Sequence, residues 1–174
     1  MELFEKTLSS TSIYDGKVVK LRKDEIELPN GNKSFREAIH HPGGACVIAK
    51  CDDYIYFVKQ FRYPYGKVLL EIPAGKLNEG EDPKACAIRE LEEETGLIAE
   101  NVELLHSIYP TPAYTDEVIY IYLASNLKKG KVHLDSDEFL NVVKIKTDDV
   151  KQMLLSGEIH DAKTIVALYA LFNR

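Results

Sequence analysis

The sequence predicts an α/β sandwich, a mixed sheet with two or three helices, preceded by a small antiparallel sheet of its own. Three observations predict it. β-branched and aromatic runs of four to eight residues recur along the chain, each bounded by turn residues. A charged segment near the middle carries helix start and stop signals at its two ends. Before both, residues 1–42 alternate with period two around a strong hairpin signal.

The alternation begins with Lys17-Val18-Val19-Lys20-Leu21 and resumes in Asp24-Glu25-Ile26-Glu27-Leu28. Pro29-Asn30-Gly31 supplies the turn, and Ser34-Phe35-Arg36-Glu37-Ala38-Ile39 is the expected return strand. His41-Pro42-Gly43-Gly44 then marks a boundary. Residues 1–42 are therefore expected to form a β-sheet arm, and residues 43–174 the main domain. The adjacent His40 and His41 have no carboxylate or cysteine at metal-ligand spacing and read as surface loop. In the main domain, strands are expected at residues 45–49 and 54–61. Leu69-Leu70-Glu71-Ile72 runs into Pro73-Ala74-Gly75 and the charged helix. Further strands are expected at 103–109, 118–124 and 141–145. A short helix is expected near 147–155, and a last one over 164–172 capped by Asp161.

At 174 residues the chain is long enough for one full-sized core with a small appendage. No apolar run approaches the roughly 18–20 residues that span a membrane. The opening MELFEKTLSSTS has acidic residues and no apolar signal core, so the expectation is a cytoplasmic protein with no membrane partner. Cys46, Cys51 and Cys86 cannot all pair and show no CxxC spacing, and Cys46 and Cys86 read as buried small hydrophobes. With 22 basic and 28 acidic side chains the net charge is −6, which argues against nucleic acid as a partner. It also means that an anionic ligand would need cations between it and an acidic pocket.

The segment GKLNEGEDPKACAIRELEEETGL, starting at Gly75, decides the chemistry. Asp82 is a good N-cap, Pro83 suits the first helical position, and Gly96 suits a left-handed C-cap. Glu90, Glu93 and Glu94 are related by i, i+3 and i+4 and share a face. Ala85, Ile88 and Leu91 are expected to form the apolar face, with Glu92 towards solvent. Like charges at i, i+4 destabilise a helix by roughly 0.2–0.5 kcal/mol each, and a divalent cation offsets this most directly. Oxygen ligands on a rigid element select Mg²⁺, or Mn²⁺, over zinc. The plain alternative is a solvated charged helix. The fixed offsets of Gly75, Glu81, Arg89 and Gly96 speak against it.

Gly75, Glu81, Arg89, Glu90, Leu91, Glu93, Glu94, Gly96 and Leu97 match every fixed position of the Nudix box, and the chain resembles the Nudix hydrolases. That resemblance implies a Nudix-type α/β/α sandwich and hydrolysis of a nucleoside diphosphate linked to another moiety. It implies that Glu90 and Glu94 bind metal directly, that Glu93 helps through water, and that the carbonyl of Ala74 is a further ligand. It makes Glu81 and Arg89 supports that hold the loop against the helix.

Outside the box, Val58-Lys59-Gln60-Phe61-Arg62-Tyr63-Pro64, Leu70-Glu71-Ile72-Pro73-Ala74-Gly75 and Asp161-Ala162-Lys163-Thr164 resemble the ADP-ribose pyrophosphatase subfamily. Pro112, in Tyr109-Pro110-Thr111-Pro112-Ala113-Tyr114-Thr115-Asp116-Glu117, stands where that subfamily has the proline of a loop near the terminal ribose. Ala113 replaces its usual glycine, at roughly 1 kcal/mol if the loop needs a positive φ there. Arg36 and Arg62 are candidates for gripping the diphosphate, since a guanidinium fork matches phosphate oxygens, and Glu37 is a further candidate for substrate contact. Surface salt bridges are the alternative for the arginines. Tyr14 and Phe35 are candidates for stacking on adenine, with a core position as the alternative.

The subfamily precedent is a swapped homodimer in which the arm completes the partner's site. Its general base comes from a late acidic loop, here Leu134-Asp135-Ser136-Asp137-Glu138-Phe139-Leu140. Glu138 fits the pattern best. Asp135 and Asp137 are its alternatives, and Glu93 is the fallback within the box. Asn141 replaces an acidic residue common after that pattern, so the register stays open. The expectation is a Mg²⁺-dependent pyrophosphatase acting on ADP-ribose or a similar nucleoside diphosphate sugar. Its competitors are a Nudix hydrolase of oxidised nucleoside triphosphates or dinucleoside polyphosphates, and a non-catalytic ADP-ribose-binding regulator.

Overall fold

The structure, a computed structural model, describes residues 3–134 and 139–174. Two sheets form, one in each of two compact units. The first unit takes the chain up to Gly43 together with Tyr109–Val118, and the second takes Gly44–Ile108 and Ile119–Arg174.

The first unit is a three-stranded antiparallel sheet in the order β1 (Lys6–Asp15), β2 (Lys20–Glu27), β3 (Lys33–His40). The β2–β3 hairpin closes at the expected turn, where Gly31 has φ +81° and Leu28 exchanges backbone hydrogen bonds with Gly31 and Asn32. Two expectations are corrected here. β1 does not stand out in the sequence: all ten of its residues are exposed, so no buried face imposed a period-two pattern on KTLSSTSIYD. The two short strands expected around Arg22-Lys23 are one strand, β2, because Asp24 and Ile26 on one face are buried while their neighbours are not. The segment Tyr109–Val118 pairs with the end of β3, Ile39 N–H donating to Tyr114 O at 2.7 Å and Asp116 N–H to Ile39 O at 3.1 Å.

The second unit is an α/β/α sandwich. Its mixed sheet runs β10 (Leu140–Lys146), β5 (Tyr54–Arg62), β4 (Gly44–Cys51), β9 (Ile119–Lys129), β8 (Leu97–Ile108), with β4 and β9 parallel. The alternation of β4 builds both layers. Cys46 and Ile48 join Ile55, Phe57 and Ile121 in a core with α2 (Thr147–Ser156) and α3 (Ala162–Phe172). Ala45, Val47 and Ala49 point the other way, into a core with Cys86, Ala87 and Leu91 of α1 (Pro83–Thr95). No described helix is long and apolar enough to cross a membrane.

Beyond Ala49 and Tyr56 the strands β4 and β5 part. β6 (Lys67–Glu71) then pairs with β5, and β7 (Ala74–Lys76) with β4. The residues joining them enter this opening, with Val47 N–H donating to Pro73 O at 2.9 Å. This parting brings Ala74 and Gly75 to the start of the charged segment.

α1 has the predicted caps. Asp82 accepts hydrogen bonds from the Lys84 and Ala85 amides, Pro83 opens the helix, and Gly96 closes it at φ +67°. Its buried face is not the expected one: Ala85 and Ile88 are exposed, whereas Cys86, Ala87 and Leu91 are buried beside Glu90 and Glu94. Reading the apolar residues alone misplaced the face, because two carboxylates lie on the buried side. Asp82→Ala should lower stability by about 1 kcal/mol, read as a reduced urea midpoint at unchanged slope.

Candidate active site

The loop from β7 and the helix α1 converge on one acidic face. Glu90 is 8% exposed and Glu94 1%. Such burial is rare for carboxylates unless they are paired or bound to a cation. Glu94 Oε2 accepts a hydrogen bond from the Ala74 amide at 3.0 Å, which ties the β7 strand to the helix. Gly75 has no side chain for a direct reason: a Cβ there would stand 1.8 Å from Glu90 Oε1. The glycine lets the main chain approach the carboxylate.

Arg89 organises the rest. Its Nε and Nη2 fork onto Glu81 at 2.8 and 3.0 Å, and its Nη1 donates to Glu90 Oε1 at 2.6 Å and to Glu93 Oε2 at 2.8 Å. Nη2 also reaches the Lys76 carbonyl at 3.3 Å. The Arg89 hydrogen bonds, with one from the Asn78 amide, hold the Glu81 carboxyl down to about 2. The same Glu81 contact leads those that raise the pKa of Arg89. Burial pushes the Cys86 thiol up to about 12, so it is an inert filler, and Cys46 is raised by burial as well.

The donors fit a hard divalent cation. Glu90, Glu93 and Glu94 offer carboxylate oxygens on one rigid helix, and the Ala74 carbonyl lies on the strand bound to Glu94. Among the described residues, no three His, Cys, Asp or Glu side chains converge closely enough to form a complete protein cage. Magnesium typically takes only one or two protein carboxylates and completes its shell with water and phosphate.

A second polar cluster lies at the end of β6. Glu71, 1% exposed, receives a bidentate fork from Arg62 at 2.6 and 2.6 Å and an ion pair from Lys163, which also reaches Asp161 at 2.9 Å. Burial opposes the ionisation of Glu71, but Arg62 and Lys163 outweigh it and lower its pKa. Sequence reasoning passed over Glu71. The signal was present: a lone charge inside Leu69-Leu70-Glu71-Ile72 needs a partner if that strand is buried.

The other expected residues fall as follows. Arg62 spends two of its nitrogens on Glu71. Arg36 pairs with Glu5, Nε to Oε2 at 3.0 Å, and Glu37 is exposed on β3. Pro112 is exposed in a turn of the first unit. The described non-glycine residues with positive φ are Asp52 and Asn126, so Ala113 bears none of the strain considered for it. Tyr14 and Phe35 are each 58% exposed, and Lys23 Nζ lies 4.6 Å from the Phe35 ring centroid. His40 is exposed but ends strand β3 instead of lying in a loop, its Nδ1 meeting Asp116 Oδ2 at 2.8 Å, a carboxylate far away in sequence, and His41 is half-buried. Asp135, Asp137 and Glu138 lie outside the described residues.

Residues 39–168 match the model of the NUDIX domain. The chain belongs to the Nudix hydrolase family. Residues 5–39 match the nucleoside diphosphate sugar hydrolase N-terminal domain. The chain is 44% identical to the methanol dehydrogenase activator of Bacillus methanolicus, over 96% of this chain and 92% of that one. It is 42% identical to the ADP-ribose pyrophosphatase of Bacillus subtilis, over 97% and 93%. A crystal structure of an ADP compounds hydrolase superposes with a TM-score of 0.87 at 19% identity, covering 97% of this chain and 92% of that one, a likeness of fold. In this Nudix enzyme Arg89 bonds the box residues Glu81, Glu90 and Glu93 together, Glu94 is bonded to the Ala74 amide, Gly75 lies against Glu90, and Gly96 caps the helix.

Its electrostatics give a pH prediction. The folded-state pKa of Glu81 is depressed from an ordinary 4.5 to about 2. Its ionised form therefore contributes stability above the unfolded pKa, and the contribution is lost as pH falls from about 4.5 towards 2. Urea melts should find Glu81→Gln less stable than the parent at pH 6, with the difference shrinking by pH 3. A difference that does not change with pH would mean the pair is not held by charge.

Proposed function

We propose that this Nudix hydrolase is a Mg²⁺-dependent pyrophosphatase that cleaves ADP-ribose, or a closely similar nucleoside diphosphate sugar, to AMP and ribose 5-phosphate. The observation that carries it is the pair of buried carboxylates, Glu90 and Glu94, on one helix face against a glycine strand. The B. subtilis ADP-ribose pyrophosphatase and the match of residues 5–39 support the substrate class. Mn²⁺ would fit the same oxygen donors.

Glu90, Glu94 and the Ala74 carbonyl would hold the metal, with Glu93 acting through water. The metal would supply charge neutralisation of the diphosphate and a lowered pKa for an attacking water. Arg89 keeps Glu90 and Glu93 oriented, and Glu81 holds Arg89. Glu138 is proposed as the general base, before Asp137 and Asp135. The segment leading towards it is tied to α1: Gly130 N–H donates to Gly96 O at 2.7 Å and His133 N–H to Glu93 O at 3.0 Å. Arg36, Glu37, Arg62 and Pro112 remain the proposed substrate contacts. Nη1 of Arg62 is the nitrogen that its bonds to Glu71 do not use.

The reading includes a cytoplasmic homodimer, with residues 1–42 as the dimerising arm and 43–174 as the catalytic domain. Support comes from the arm itself. Leu8, Ile13, Tyr14, Val18 and Phe35 are all exposed in the single chain, which is unusual for one small sheet.

Glu94→Gln should lower ADP-ribose turnover by at least about a hundredfold with the fold intact, since it removes a charge beside the metal. Glu138→Gln should lower kcat by about a hundredfold to ten-thousandfold at nearly unchanged affinity, as expected of a general base. Steady-state kinetics with direct ligand titration, run beside Asp135→Asn and Asp137→Asn, measures both. Full turnover in Glu94→Gln at saturating Mg²⁺ would remove Glu94 as a ligand. A panel of nucleotides with Mg²⁺ tests the substrate, and ADP-ribose inert while another nucleotide turns over would replace it.

A further inference from the structure

The segment Asp161-Ala162-Lys163-Thr164 does more than start the last helix. Asp161 Oδ2 accepts from the Thr164 amide at 3.0 Å, an ordinary N-cap, and also from the Thr164 hydroxyl at 2.6 Å. With its proton given to Asp161, Thr164 Oγ1 is left as an acceptor. It receives the Ile72 amide at 2.9 Å, across 92 residues of sequence, and Thr164 is completely buried. Lys163 extends the same turn to the neighbouring residue through its ion pair with Glu71. Each residue from 71 to 74 is thus fixed by a separate bond. Glu71 is held by Lys163 and Arg62, Ile72 by Thr164, Pro73 O by the Val47 amide, and the Ala74 amide by Glu94. The first two tethers come from outside the box and end three and two residues before Ala74.

We propose that Thr164, oriented by Asp161, is a positioning residue for the Ala74 carbonyl, so that the N-terminal turn of α3 sets how tightly the site holds its divalent cation. This rests on the reading of Ala74 as a metal ligand. A carbonyl cannot swing on a side chain as a carboxylate can. Its aim is set by the surrounding backbone, so a bond two residues upstream contributes to it beside those at Pro73 and Ala74. Partners that orient a metal ligand typically change affinity by about tenfold to a hundredfold when removed.

Thr164→Val keeps the volume and deletes the acceptor. It should weaken Mn²⁺ binding without substrate, by calorimetric titration, by about tenfold. The metal concentration for half-maximal rate should rise by the same factor, while kcat at saturating metal and KM for the nucleotide stay within about twofold. Hydrogen exchange at the Ile72 amide should speed up, showing that the bond was lost, and Thr164→Ser should restore all three readouts. If Val does not fold, Thr164→Cys, a weaker acceptor of similar size, should shift them in the same direction. Unchanged Mn²⁺ affinity with a fast-exchanging Ile72 amide would overturn the positioning role. The carbonyl carbon resonance of Ala74, followed as Mg²⁺ is added to the unaltered protein, tests the ligand assignment by itself. A silent resonance there would overturn that assignment, whatever Thr164 does.

Discussion

The active face depends on one guanidinium serving three carboxylates. Arg89 reaches back along the chain to Glu81 and sideways to Glu90 and Glu93. Without it, α1 would place like charges at i, i+3 and i+4 with two of them buried, an arrangement that costs both repulsion and desolvation. The planar fork matters as much as the charge. Two parallel bonds to Glu81 fix the plane of the guanidinium, and that plane fixes where Nη1 points. A lysine could supply the charge but not the angle. Glu81 is thus as necessary to the face as the residues on it, although it lies in the loop before the helix.

Arg89 could not do this on an ordinary sheet. β4 and β5 part after a few pairs, and the parting admits residues 71–74, β6 and β7 between them. Gly75 then lies against the Glu90 carboxylate, closer than any side chain would allow. The glycine is needed for space, whereas Gly96 is needed for its left-handed φ at the helix end. The two fixed glycines of the box answer to different physics.

The sequence spoke most clearly where one residue type has one use. The caps Asp82 and Gly96, the turn at Gly31 and the grouping of Glu90 with Glu94 follow from local geometry, and the structure has them all. β4 and β5 were legible as apolar and aromatic runs bounded by turn residues, β4 being buried on both faces. β1 was not, because a strand exposed on both sides carries no alternation. The buried face of α1 was misread because two carboxylates share the burial: Glu90 and Glu94 point inward, where apolar periodicity predicts Ala85 and Ile88. The network of Glu71, Arg62, Lys163 and Thr164 joins residues up to 92 apart, and no window of sequence reports such a pairing. Only the isolated charge of Glu71 among apolar neighbours pointed to it.

The two charge clusters meet at residues 71–74 and differ in balance. Around Glu71 and Asp161 stand Arg62 and Lys163, two carboxylates with two cations, mutually bonded and largely buried. A cluster so balanced holds the backbone at Glu71, and Nη1 of Arg62 takes no part in its bonds to Glu71. Beyond Ala74, Glu81, Glu90, Glu93 and Glu94 bring four carboxylates to a face where Arg89 is the cation bonded among them. The chain as a whole carries a net charge of −6, and an acidic protein does not attract a diphosphate unaided. Divalent cations bound beside these carboxylates as proposed would offset their repulsion and meet the charge of the diphosphate, at the end of a segment that the balanced cluster holds still.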